Sequence, residues 1–224
     1  LKKGGISRRI VLLINWTIGF IYFRVLNRTV IHNKTGLLRE TGVLFLSSHF
    51  TMVDSWLLGA CHSPFDAFFR PNLIPHNVPE MTNFYKGKLS GWWFDKSKCI
   101  PILRNKGGRE THPKIVKALK HSNVLIFPAS TRCREDKPFR RSASLGKLIA
   151  EGGAKKIVPI KLTGLPYKGG FFPIWFKRVD VYFGEPISPE DIGSSQSKED
   201  CVNIVDSIFQ RIESLSHSAI ADHA

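Results

Sequence analysis

Acidic side chains are scarce in this chain: 18 Asp and Glu stand against 33 Lys and Arg in 224 residues, a formal net charge of +15. The excess points to a polyanionic partner, whether nucleic acid, anionic lipid headgroups or a phosphorylated substrate. Cysteine is scarce too. Cys61, Cys99, Cys133 and Cys201 lie far apart, with no Cys-x-x-Cys and no His at metal-ligand spacing. That argues against a zinc site and a disulfide framework, and leaves reduced structural thiols in a reducing compartment. Internal repeats are lacking, and so is a long uninterrupted apolar run. What remains is ordinary: 42% hydrophobic and 23% charged residues, in a chain long enough for one domain with a real core.

The most apolar stretch is 10–23, flanked by Arg8, Arg9, Arg24 and Arg28. Fourteen helical residues reach ~21 Å, short of the ~30 Å hydrocarbon core of a bilayer. The basic flanks, with Trp16 and Tyr22, fit an interfacial or half-inserted helix; a core helix is the plainer alternative. Asn-x-Thr sequons at Asn15, Asn27 and Asn33 crowd this same segment and carry little weight as glycosylation sites. The chain begins at Leu1 rather than Met, so targeting is not read from this end.

Beyond residue 30, strand-like and helix-like segments alternate. Apolar runs predict strands at 43–47, 65–69, 99–103, 123–128, 156–162 and 179–183. Helices are predicted near 51–61, opening at a Thr-type cap, and near 78–90, 113–121, 143–152 and 197–215. This alternation implies an α/β fold: a single domain over 30–224 with a mostly parallel central sheet flanked by helices, preceded by an N-terminal membrane-interfacial helix within 1–29. Two stretches, 84–98 and 165–178, interleave Trp and Phe with Lys. Such a mixture stacks single-stranded nucleic acid or sits at a bilayer interface. Beside the N-terminal helix the bilayer is the better partner, although ordinary core packing also accounts for any one of Trp92, Trp93 and Phe94.

Chemistry concentrates at 47–54, Ser-Ser-His-Phe-Thr-Met-Val-Asp, where a predicted strand gives way to a predicted helix. His49 and Asp54 are spaced so that a carboxylate can hold one imidazole nitrogen while the other faces a substrate, the wiring of a general base. Chance alone yields about 0.3 such pairs in a chain with this His and Asp content. Indeed His217 and Asp222 repeat the spacing in a polar tail with no strand before them, and that copy reads as accidental. Two further residues fall at predicted strand ends: Arg104 after Cys-Ile-Pro-Ile-Leu, and Arg132 in Ile-Phe-Pro-Ala-Ser-Thr-Arg. In an open α/β sheet ligands gather at such ends. Two arginines near a candidate base point to an anionic group, most simply phosphate; either alone would read as a solvated surface arginine.

The ordered set, His49-x4-Asp54, then Arg104, then Phe127-Pro128-Ala129-Ser130-Thr131-Arg132, then Ile157-Val158-Pro159-Ile160, resembles the glycerolipid acyltransferase superfamily of lysophosphatidic acid acyltransferases and tafazzins. The likeness covers roughly residues 30–190, and its order and spacing are more specific than any one block. Residues 145–151 and 98–101 look somewhat tafazzin-like. The resemblance implies a membrane-associated acyltransferase that moves a fatty acyl group from an acyl-CoA or acyl carrier protein thioester to a lysophospholipid hydroxyl, such as that of 1-acylglycerol-3-phosphate. His49 would be the base and Asp54 its orienter, while Arg104, Ser130, Thr131 and Arg132 would bind the acceptor. The thioester is a co-substrate; neither resident cofactor nor metal is implied. The expected partners are an anionic membrane surface, the lysophospholipid and the acyl donor, not nucleic acid, with oligomeric state left open. The expected location is monotopic, on the cytoplasmic face of an inner or organellar membrane. A tafazzin-like phospholipid transacylase and a non-catalytic lipid-binding protein on a degenerate scaffold are the alternatives. The second arises because this chain departs from the family's Phe-Pro-Glu-Gly-Thr-Arg: Ala129 replaces a Glu that helps hold the acceptor, and Ser130 replaces Gly. Ser48 stands where Asn is usual before the His, and Phe50 takes a commonly polar position.

Overall fold

The N-terminal apolar run folds as a helix over Ile6–Phe20 (α1) and runs on as a π-helical stretch over Ile21–Leu26. The computed structural model describes residues 5–32, 36–103, 110–128, 142–166, 174–193 and 195–221. After α1 come β1 (Arg28–His32), β2 (Val43–Ser47), α2 (Asp54–Gly59), α3 (Pro64–Phe69), β3 (His76–Asn77), α4 (Met81–Phe84) and α5 (Lys88–Lys96). The chain continues through α6 (His112–Leu119), β4 (Val124–Ile126), α7 (Ala143–Glu151), β5 (Lys156–Thr163), β6 (Arg178–Phe183) and α8 (Lys198–Ala221). The strands form one sheet in the order β1-β6-β5-β2-β4-β3. Among the strand pairings of the described residues only β5–β6 is antiparallel, so the α/β, mostly parallel expectation holds.

β2 is buried along its whole length because both faces of the sheet are covered. Its alternate residues serve different cores. Val43 and Phe45 meet Tyr22, Phe23, Val53, Leu57 and Leu58 on the side of α1 and α2. Leu44 and Leu46 meet apolar residues of α6, α7 and α8 on the other.

The helical region at the N-terminus is longer than the fourteen residues expected. Ile6–Leu26 is 21 residues, enough by length and composition alone to cross a membrane. It nevertheless lies against the domain, packed on α2, α3 and α5, with Val11, Leu12, Gly19, Tyr22 and Phe23 buried. Asn27 Nδ2 and Thr29 Oγ1 donate to the Tyr22 and Phe23 carbonyls at 2.9 and 2.7 Å, capping groups that a helix end would leave unpaired.

Three expectations fail. Residues 65–69 form helix α3, not a strand: Ser63 and Asp66 make a reciprocal capping box with Pro64 in the first turn, so the aromatic run is nucleated as helix. Residues 99–103 make only isolated bridges, Cys99 to Asn77 and Ile102 to Glu80, because Pro101 supplies no N–H to a ladder. The single helix near 78–90 is instead an extended segment, the one-turn α4 and then α5, separated by Gly87 at its extended φ.

A buried cation fastens this edge of the sheet. Lys98, 4% exposed and at φ 62°, points its ammonium at the Pro71 carbonyl (2.7 Å), the Ile74 carbonyl and Ser122 Oγ (2.6 Å). Ser122 spends its own proton on the Asn72 carbonyl at 2.7 Å. All three acceptors therefore need a proton from Lys98, and only the ammonium carries three. Burial and the Arg8 charge oppose that form, pushing the Lys98 pKa well below its usual value. Beside it, His76 Nδ1–H donates to the Lys98 carbonyl at 3.0 Å. Burial first, then the Lys98 and Arg8 charges, lower the His76 pKa from 6.5 to about 3.

Acid sensitivity follows. Above pH 6.5 neither folded nor unfolded His76 binds a proton, and the site is silent. Below it the unfolded chain alone is protonated, so stability falls by about 1.4 kcal/mol per pH unit on the way towards pH 3. In His76→Asn, whose amide still has N–H to donate, this component should vanish. Urea denaturation across about pH 4 to 6.5 should then give a shallower loss than in the parent.

Candidate active site

At the carboxyl end of β2 the chain is still tied into the sheet. Ser48 N–H donates to the Ile160 carbonyl at 3.1 Å, and Ser48 Oγ accepts from Leu162 N–H at 2.9 Å. The serine that replaces the expected Asn is thus a buried anchor between β2 and β5, at 2% exposure. The next residue is His49, whose side chain emerges with 21% exposure.

The turn from His49 to α2 is built around the Asp54 carboxylate, fully buried at 0% exposure. It accepts from Phe50 N–H at 2.6 Å, Thr51 N–H at 3.0 Å, Thr51 Oγ1–H, and His49 Nδ1 at 2.9 Å. Helix α2 therefore starts at Asp54 with Val53 as its cap, not at Thr51 as expected. Thr51 makes one half of a capping box, its own N–H bound by the carboxylate three residues on. Its hydroxyl also accepts from Val53 N–H at 3.2 Å.

This arrangement fixes the tautomer. A carboxylate that collects donors holds the hydrogen of His49 on Nδ1, leaving the Nε2 lone pair free to take a proton. Phe127, just beyond β4, stacks on the imidazole with centroids 4.2 Å apart and planes at 22°. β2 and β4 are neighbours, so the ends of two adjacent parallel strands meet at the base. Sequence reading missed Thr51 and Phe127 as site residues. Thr-x-x-Asp after a strand was a signal for the first; the second opens the Phe-Pro-Ala-Ser-Thr-Arg block, but its place against the imidazole depends on strand order.

Of the other expected site residues, Arg104, Ser130, Thr131 and Arg132 lie outside the described residues, as does Ala129. So does Asp222, and with it the second His/Asp pair. Cys61, Cys99 and Cys201 are free thiols, and Cys133 falls outside the described set. Among the described residues no group of three or more His, Cys, Asp or Glu is gathered for a metal.

Behind α2 lies a cavity of about 130 Å³ lined by Leu12, Trp16, Met52, Trp56, Trp93 and Phe94 among others. Gly59 also lines it, and a Cβ there would meet nothing within 4 Å. On the opposite side of this contact, α1 is pressed against α2: a Cβ at Gly19 would stand 2.7 Å from the Trp56 carbonyl oxygen.

Asp54→Asn keeps the volume but turns an NH₂ towards groups that themselves donate. It should cost about 1–3 kcal/mol in urea unfolding, through a buried donor left unpaired.

The acyltransferase family model matches residues 28–163, from β1 through the end of β5. Among curated proteins, the 1-acyl-sn-glycerol-3-phosphate acyltransferase of Bacillus subtilis (strain 168) is 27% identical over 192 residues, covering 84% of this chain and 87% of that protein. The crystal structure of the 1-acyl-sn-glycerophosphate (LPA) acyltransferase PlsC from Thermotoga maritima shares the fold at a TM-score of 0.67 and 16% identity, over 98% of this chain and 84% of that one. The matched region spans most of the chain and includes His49, Asp54 and the strand ends that set them: the chain belongs to the acyltransferase family.

Proposed function

We propose that this acyltransferase moves a fatty acyl group from a thioester to the free hydroxyl of a lysophospholipid bearing a phosphate, of the 1-acylglycerol-3-phosphate type. The observation that carries the reading is the His49–Asp54 pair, with Nδ1 tied down and Nε2 available at a strand end. His49 Nε2 removes the proton of the acceptor hydroxyl as its oxygen attacks the thioester carbonyl. The tetrahedral intermediate collapses by breaking the C–S bond, and the imidazolium returns the proton to the departing thiolate. Asp54 holds the ring and stabilises its cation. Arg104 and Arg132, with Ser130 and Thr131, are the proposed phosphate binders. The activity named for the Bacillus subtilis relative supports this acceptor class. The thioester enters as a substrate, and the chemistry calls for no resident cofactor.

The acyl chain is assigned to the cavity behind α2, since Met52 lines it only three residues from His49. The enzyme is proposed to sit monotopically on a bilayer, on the cytoplasmic side where acyl thioesters are supplied. Ile6, Ile10, Ile14, Ile21 and Val25 support this: they recur along one exposed side of the N-terminal helix, while its other side is packed on the domain.

His49→Ala should lower transfer from acyl-CoA to 1-acylglycerol-3-phosphate by about 10²–10⁴-fold, with unchanged thermal unfolding. Transfer at the parental rate would refute the mechanism. Gly59→Leu fills open space without a backbone clash, and should shift donor preference towards shorter chains in a competition between acyl-CoA lengths.

A further inference from the structure

The surface that continues the apolar side of α1 is not helical. Residues 174–177 lie against the end of the π-helical stretch and are held there by a dense set of hydrogen bonds. Tyr22 Oη donates to the Ile174 carbonyl at 2.7 Å and accepts from Ile174 N–H at 3.0 Å. Phe176 N–H donates to the Leu26 carbonyl at 3.2 Å, Lys177 N–H to Asn27 Oδ1 at 3.0 Å, and Arg28 N–H to the Lys177 carbonyl at 2.9 Å. Tyr22 and Asn27 are themselves buried, each 2% exposed.

What this clamp presents is unusual. Phe176 is 82% exposed and sits at φ 54°, in the left-handed region that bulky side chains avoid. Trp175, edge-on to Tyr22 with centroids 5.9 Å apart, is 53% exposed. An aromatic pair held in a strained backbone and turned to solvent gives the fold little in return. It meets the helical stretch at Tyr22 and Leu26, the residues that follow the exposed Ile21 and Val25 in sequence. Its charged neighbours Arg24, Arg28 and Lys177 are exposed cations, and Arg178 is exposed but paired with Asp180 at 2.7 Å. Asp and Glu are absent from residues 1–39 and again from 152–179.

We propose that Trp175 and Phe176 form a second insertion point, clamped to the end of α1, that enters the headgroup region of an anionic bilayer. The proposal rests on the membrane reading of α1. Exposed aromatic rings settle at headgroup depth, and the cations beside them suit anionic headgroups. The partner committed to is lipid, because Arg24, Arg28 and Lys177 stand exposed while the nearby Asp180 is taken up by Arg178 and His32, which with the exposed apolar side of α1 favours a charged bilayer over a second copy of this equally basic chain.

Phe176→Gly separates the idea from simple packing. Glycine relieves the left-handed backbone, so thermal unfolding should be unchanged or shifted upward. Flotation with phosphatidylcholine vesicles containing about 30% phosphatidylglycerol should show partitioning weakened by about tenfold or more, the loss expected for one inserted Phe. Phe176→Leu should retain most of the binding, and W175A/F176G should lose more than either single change. Ile10→Ser with Ile14→Ser tests α1 itself. If those weaken binding while W175A/F176G binds like the parent, the insertion point is wrong and the α1 reading stands. If neither pair weakens binding, both fail. A change in sedimenting mass in W175A/F176G with unaltered vesicle binding would identify a second copy as the occupant and overturn the proposal.

Discussion

One buried carboxylate organises the turn at the carboxyl end of β2. Asp54 has no solvent to satisfy it, so the chain between it and His49 must fold back and supply donors from its own backbone. Three consequences share that cause. The turn is closed, the helix begins at Asp54, and the imidazole is held at Nδ1 with Nε2 left facing outward. A carboxylate placed in water could orient a histidine, but would leave the turn free to open. Here the same hydrogen bonds that make burial tolerable also set the geometry of the base.

The legible parts of the sequence were those with one dominant cause. Val43–Ser47 and Lys156–Thr163 are apolar enough to require cover on both faces, and β5 extends the predicted strand by one residue. His49 and Asp54 were legible because they are close in sequence and their contact is made within one turn. The failures had competing causes. The Phe-rich run at 65–69 reads as a strand by composition, yet Ser63, Pro64 and Asp66 nucleate a helix first, leaving Phe65 and Phe69 more than half exposed. β1 and β3 went unseen because an edge strand is defined by its partner: Arg28–His32 has no strict alternation, and His76–Asn77 is two residues long. Phe127 needed the knowledge that β4 lies beside β2, which no local pattern carries.

The molecule treats its excess of positive charge in two opposite ways. Among the described residues most cations stay at the surface, where water can screen them. Lys98 is instead sealed inside with a complete set of acceptors, and it holds the 71–74 segment to the turn before β4. Its worth lies in fixing one arrangement of three carbonyl and hydroxyl groups, since a shorter or uncharged side chain could not meet all of them. Burial first, and then the Lys98 charge, keep the neighbouring His76 neutral, so a second charge stays out of the same interior.

The absent side chain at position 19 has a reach beyond packing. With no Cβ between them, the backbone of α1 touches the turn of α2 that begins with Asp54. The two helices therefore meet backbone to backbone at this point. In the membrane seat proposed for α1, the depth of that helix would bear directly on the height of the imidazole above the bilayer. An amphiphilic acceptor whose reactive hydroxyl protrudes by a fixed amount from its own leaflet would meet a base already standing at a matching height.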